Sequence, residues 1–160
     1  MNKLEIVDQA LLQRVADAGA SAPRRRRNYN FHISNDDACH RLLNAMEPDS
    51  YIPPHCHADP AKDETILVLK GKFGLILFAP DGKMISTVVL QAGGEALGVN
   101  IPHGQFHSLV ALESGSVFFE SKAGPYQPLA AEEKAPWAPA EGDADAASYL
   151  EKLKELFTTP

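Results

Sequence analysis

Between Glu64 and Lys122 the chain is cut into short apolar runs by turn-forming residues, and this pattern leaves little room for anything but β-structure. The runs are Glu64 to Lys70, Phe73 to Phe78, Lys83 to Leu90, Val99 to Ile101, Phe106 to Leu112 and Ser116 to Lys122. Between them stand Gly71, Pro80-Asp81-Gly82, Gly93-Gly94 with Gly98, and Glu113-Ser114-Gly115, residues that set turn dihedrals or tolerate positive φ. Each run is shorter than a stable helix needs, and turn signals recur roughly every 8 to 12 residues, the spacing of an all-β sandwich or small barrel. A chain of 160 residues suits one such body, which would bury about two-thirds of its extended-chain surface.

The flanks read differently. Asp8 can cap a short helix in which Leu11, Leu12, Val15 and Ala18 recur at helical spacing until Gly19 stops it. Asn28 to His32 alternates polar and aromatic residues and predicts a strand with Tyr29 and Phe31 on one face. Leu42, Leu43, Ala45 and Met46 satisfy helix and strand patterns alike; the turn Glu47-Pro48-Asp49-Ser50 favours a strand from Arg41 to Met46, followed by a short β segment from Tyr51. After Tyr126 the chain is rich in Pro and Ala and is expected to wrap the body, anchored by Trp137. From Ser148 a terminal helix places Tyr149, Leu150, Leu153, Leu156 and Phe157 on one stripe, which must cover the chain's own barrel or a second copy. The expected division is 1–30 for the N-terminal helix and lead-in strand, 31–126 for the barrel, and 127–160 for the wrapping loop and C-terminal helix. A homodimer is expected.

The chemistry concentrates at His55-Cys56-His57. Side chains on a strand alternate, so His55 and His57 project from one face and form a ready pair of metal ligands, while Cys56 turns to the other face as a small buried apolar residue. Glu64 follows a short loop later, and His107 lies in the turn-then-strand stretch Pro102-His103-Gly104-Gln105-Phe106-His107. Three neutral imidazoles and a carboxylate suit divalent iron, manganese, nickel or zinc, and leave two positions open on an octahedral ion for water or a chelating ligand. His32, His40 and His103 are read as surface or core histidines rather than ligands.

His55-x-His57, Glu64 and Gly71 resemble the first cupin motif, and Pro102-x-Gly104-x-x-His107 resembles the second. The stretch between His57 and Glu64 is longer than in that motif, leaving Asp59 or Asp63 as alternatives to Glu64 for the carboxylate. Leu42 to Pro48 running into Tyr51, then Glu120 to Tyr126, then Trp137-Ala138-Pro139 are similar to the WbuC family of cupin-fold metalloproteins, a family named for members encoded with polysaccharide biosynthesis genes. The resemblance, over residues 4 to 141, implies a cupin double-stranded β-helix, a jelly-roll barrel, holding one divalent transition metal on His55, His57, Glu64 and His107.

The function expected is an enzyme acting on a small polar metabolite, such as a sugar or sugar derivative, by isomerase- or epimerase-like chemistry. A metal-dependent dioxygenase and a non-enzymatic ligand-binding cupin with a structural metal are the alternatives. Glu120 is the candidate acid or base if its strand face points inward, and Arg27 and Tyr126 are candidate substrate-binding residues. The partner is thus a small molecule. A net charge of −6 argues against nucleic acid, whose binding is dominated by cationic contacts to phosphate. No run of about 18 apolar residues predicts a membrane span. Two cysteines, one of them between two metal-ligand candidates, fit a reducing, cytoplasmic setting better than a disulfide framework.

Overall fold

The computed structural model describes residues 4–158. It contains helix α1 (Gln9–Ala20), strands β1 (Arg26–Asn30), β2 (Cys39–Met46), β3 (Glu64–Lys70), β4 (Lys72–Phe78), β5 (Met84–Gln91), β6 (Gly98–Ile101), β7 (Phe106–Ala111) and β8 (Ser116–Ala123), and helix α2 (Ala146–Glu155). Two antiparallel sheets, ordered β1-β2-β8-β3-β6 and β5-β4-β7, face each other. Phe73, Leu75 and Leu90 of the small sheet meet Met46, Ile66, Val68 and Phe118 of the large one, and Phe73 and Phe118 pack edge-on at 5.1 Å. The all-β expectation with a helix at each end therefore holds.

The strands from β3 to β8 lie within a residue or two of their expected places. Alternation carries them: inward residues of β3 are buried while Leu67 is exposed. β2 was ambiguous because both its faces are covered. Leu43 and Ala45 meet Leu11, Leu12, Val15 and Ala16 of α1, while Met46 faces the inter-sheet core. Asp8 caps α1 as expected, its Oδ1 accepting from the Leu11 amide at 2.8 Å. Ala18 does not join the buried stripe; Ala16 and Gly19 do.

One expected strand is absent. The segment from Tyr51 to His57 is extended but unpaired, apart from single bridges that His55 makes to His107 and to Lys134. Pro53 and Pro54 remove two amide donors, so no ladder can run through it. The C-terminal helix lies on its own barrel: Leu150 and Leu153 pack with Tyr51, Ile76, Phe78, Phe106 and Val110. Trp137 anchors the wrapping segment, its ring 4.9 Å from that of Phe78 and its Nε1 donating to the Pro80 carbonyl at 3.1 Å.

Candidate metal centre

β3 begins at Glu64 and places that side chain inward, opposite Lys122 of β8 and Ile101 of β6. β7 brings His107 alongside. The extended segment brings His55 to the same point through a reciprocal backbone pair, His55 N to His107 O at 3.0 Å and His107 N to His55 O at 2.9 Å. His57 follows on the same side. His57 Nε2 lies 3.2 Å, and His107 Nε2 3.5 Å, from Glu64 Oε2. The His55 ring is 4.7 Å from that of His107 and 5.4 Å from that of His57. Four residues drawn from three separate parts of the sequence thus converge on one buried spot.

The tautomers follow from the backbone. His55 Nδ1 lies 3.0 Å from the Pro53 carbonyl and His107 Nδ1 2.9 Å from the Gln105 carbonyl. A carbonyl only accepts, so each Nδ1 carries the proton and each Nε2 is left with a free lone pair, the form in which imidazole binds a metal. Burial, and then the neighbouring His107, push the His55 imidazole down to about 3, so it is neutral in ordinary buffers. Burial opposes ionisation of Glu64, but its charged surroundings, the Lys122 ammonium among them, hold the carboxyl well below the usual range.

Among the described residues no group of three or more His, Cys, Asp or Glu side chains is arranged so that it could hold a metal ion as it stands. The donor chemistry of the cluster nevertheless fits a cation. His57 Nε2 and Glu64 Oε2, although close, make no hydrogen bond of acceptable angle with each other or with any other group. Two buried polar atoms without partners are costly, and a divalent ion satisfies both. Ligand atoms about 2.1 Å from one metal and at right angles to each other stand about 3 Å apart, close to the two distances seen here.

The carboxylate alternatives are engaged elsewhere. Asp63 Oδ1 accepts from the His103 amide at 3.0 Å and meets its Nδ1 at 2.9 Å, in an exposed pair that also accounts for His103. Asp59 Oδ1 caps its own turn, accepting from the Ala61 amide at 2.9 Å. His32 and His40 stack on each other at 4.1 Å, with ring nitrogens on the Arg41 and Asn35 backbones.

The site opens into a cavity of about 260 Å³ between the sheets. Glu120, only 7% exposed, faces this cavity. Its Oε2 accepts from Asn44 Nδ2 at 2.8 Å and its Oε1 lies 2.7 Å from Lys122 Nζ. Burial, and then the charge of Glu64, push the Glu120 carboxyl up against the pull of Lys122. Tyr126 is exposed and lines an adjoining opening with His55, His57 and Lys122. Arg27 is not at the site. Alternation along β1 turns it outward to a groove against α1, and it is Arg26 that lines the cavity. Sequence reasoning missed Arg26 because an arginine run does not reveal which member faces in; the register of β1 on β2, Arg26 opposite Met46, does.

Among solved structures the chain is similar to the SPY1581 protein of unknown function from Streptococcus pyogenes, at 11% identity and a TM-score of 0.52 over 79% of this chain and 93% of that one. It is similar to oxalate decarboxylase, at 22% identity and a TM-score of 0.50 over 64% of this chain and 27% of that one. KdgF from Halomonas sp. matches at 20% identity and a TM-score of 0.49, over 64% and 80%. At these identities the first two establish a shared cupin-like fold and no more. No curated protein sequence matches the chain significantly. Among the described residues no helix is long and apolar enough to cross a membrane. A family profile described as "Domain of unknown function (DUF6016)" matches residues 7–90, from the N-terminal helix through His55, His57 and Glu64 to β5. With more than half of its 160 residues matched, this cupin-like barrel belongs to the DUF6016 family.

Proposed function

We propose that the chain is a metal-dependent cupin enzyme that binds one divalent transition metal on His55, His57, Glu64 and His107 and acts on a small polar metabolite. The observation that carries this reading is the buried, unpartnered pair His57 Nε2 and Glu64 Oε2, beside two imidazoles whose Nδ1 protons are taken up by backbone carbonyls. A metal bound there supplies Lewis-acid polarisation of a substrate oxygen. Glu120 faces the same cavity, held by Asn44 and Lys122, and its raised proton affinity suits a group that gives and takes a proton at a substrate carbon or oxygen. Lys122, whose ammonium burial disfavours and Glu120 and Glu64 favour more strongly, stays charged and balances the two carboxylates.

The lining favours proton-transfer chemistry on a polar ligand over dioxygen chemistry on an aromatic one. Arg26, Asn28, Asn44, Glu120 and Lys122 supply polar groups, and Phe118 is the one non-histidine aromatic among the lining residues. An isomerisation or epimerisation of a sugar or sugar derivative fits that lining, and the choice of a carbohydrate rests on the sequence resemblance to the WbuC family alone. The test is metal content. Protein purified without chelator should hold about one metal per chain, and His57→Ala should weaken metal binding by more than the roughly 10- to 100-fold that loss of an outer-shell partner costs. Circular dichroism should be unchanged. Equal metal in both proteins by elemental analysis would sink the assignment.

A further inference from the structure

Three cations line the cavity, and they are not equivalent. Lys122 is paired with Glu120 two residues away on its own strand. Arg24 and Arg26 take their partner from outside the barrel: both hold Glu141, a residue of the wrapping segment. Arg24 grips it bidentately, Nε at 2.8 Å and Nη2 at 2.5 Å, while Arg26 Nη2 donates to the same carboxylate at 2.9 Å. Arg26 is also tied from behind. Its Nη1 donates to Ser50 Oγ and to the Tyr51 carbonyl, both at 3.1 Å, and Ser50 Oγ is fixed by donating to the Arg24 carbonyl at 2.7 Å. These anchors do not depend on Glu141, so the Nη2 edge stays aimed when Glu141 leaves.

The position of the clasp gives it meaning. Arg26, 15% exposed, lines both the central cavity and a second cavity of about 420 Å³ beneath the wrapping segment, and His55 lines both as well. The guanidinium pair and the candidate metal centre therefore border the same connected space. Glu141 itself is 36% exposed and sits between Ala140 and Gly142 on a segment without regular structure. A carboxylate from the chain is thus docked, reachable by solvent, on a fork whose planar geometry suits carboxylates.

We propose that Arg26, backed by Arg24, is the binding group for the carboxylate of a small polyhydroxy acid, and that Glu141 is an internal competitor which the ligand carboxylate displaces. The ligand would set its oxygen-rich end toward His55 and Glu64 and its acid end on Arg26. Exchange of one carboxylate for another on the same fork conserves charge and hydrogen bonds, so its net cost is small. The proposal rests on the metal-site reading for the orientation of the ligand, but not for the exchange at Arg26.

Calorimetric titration of the full chain with D-glycerate, and with glycerol as its uncharged counterpart, tests it in metal-loaded and in chelator-treated protein. Arg26→Gln should weaken glycerate binding by about tenfold, the worth of one charge-assisted contact, and leave glycerol unchanged. Glu141→Gln should tighten glycerate binding by about three- to tenfold, because removing a competitor restores the fraction of competent sites. That gain is what a merely structural clasp would not produce. Glycerate binding that is unchanged or weakened in Glu141→Gln, or no preference for glycerate over glycerol in the wild type, overturns the proposal. The gain should persist after chelator treatment, so failure of the protein to take up metal would overturn the metal reading while leaving this result legible.

Discussion

Gly71 shows how a single residue constrains the barrel around the candidate centre. It stands between β3 and β4 at φ +72°, and a Cβ there would run into the Ser116 side chain. Ser116 is itself committed, accepting from the Lys72 amide at 3.1 Å and donating to the Glu113 carbonyl at 2.7 Å, so it has nowhere to retreat. Gly71→Ala should cost about 1–3 kcal/mol, from the left-handed backbone and the clash together, read as a lower urea midpoint at unchanged m-value. The interval from Glu64 to Gly71 thus has a physical reason: it is the length of a strand that starts at an inward carboxylate and ends at a left-handed turn with no room for a Cβ. His55, His57, Glu64 and His107 could be picked out as candidates because their residue types and spacings carry chemistry on their face, and the fold brings them together. Arg26 was not, because its neighbours Arg24, Arg25 and Arg27 carry the same charge and only strand register tells them apart.

At the scale of elements, legibility tracked solvent. β3, β4, β7 and β8 have turn residues at their ends, and their placement could be read from the sequence. β2 could not be read from alternation, since α1 covers the face that would otherwise be polar. The segment from Tyr51 to His57 misled for another reason: a His-x-His pair reads as a strand, yet Pro53 and Pro54 deny it a ladder, and backbone contacts to β7 and to the wrapping segment set its shape instead. The stripe on α2 announced burial without saying against what. It packs on the small sheet, and Leu153, buried with Leu150 among Ile76, Phe78 and Val110, should behave as a core residue. Leu153→Ala should cost about 2–5 kcal/mol, measured by chemical denaturation; a loss under half a kcal/mol would mean that the helix is not docked there in solution.

The whole molecule is closed by charges that bridge its ends, and this gives its stability a pH dependence. The hydrogen bond from Arg24 and then that from Arg26 outweigh partial burial and hold the Glu141 carboxyl down at about 2, against an ordinary value of 4.5. A carboxylate with a depressed folded-state value stabilises the fold above its unfolded value and loses that contribution as pH falls through the folded one. Stability should therefore decline between about pH 4.5 and pH 2, and Glu141→Gln, starting lower at neutral pH, should show a shallower decline over that window in urea unfolding. A parallel decline in both proteins would mean that the clasp adds nothing. The ligand-bearing segment is enclosed in the same way. Pro54, Cys56 and Ala58 are hydrogen-bonded to Ala135 and Glu133 of the wrapping segment, at 3.1, 2.9 and 2.7 Å, on the side opposite the His55–His107 pair. Residues 127–160 contribute none of the four candidate ligands, yet they hold the loop that carries two of them. A barrel excised at residue 126 would keep every strand and lose the template that shapes its own centre, so the smallest unit able to inherit this site is nearly the full chain.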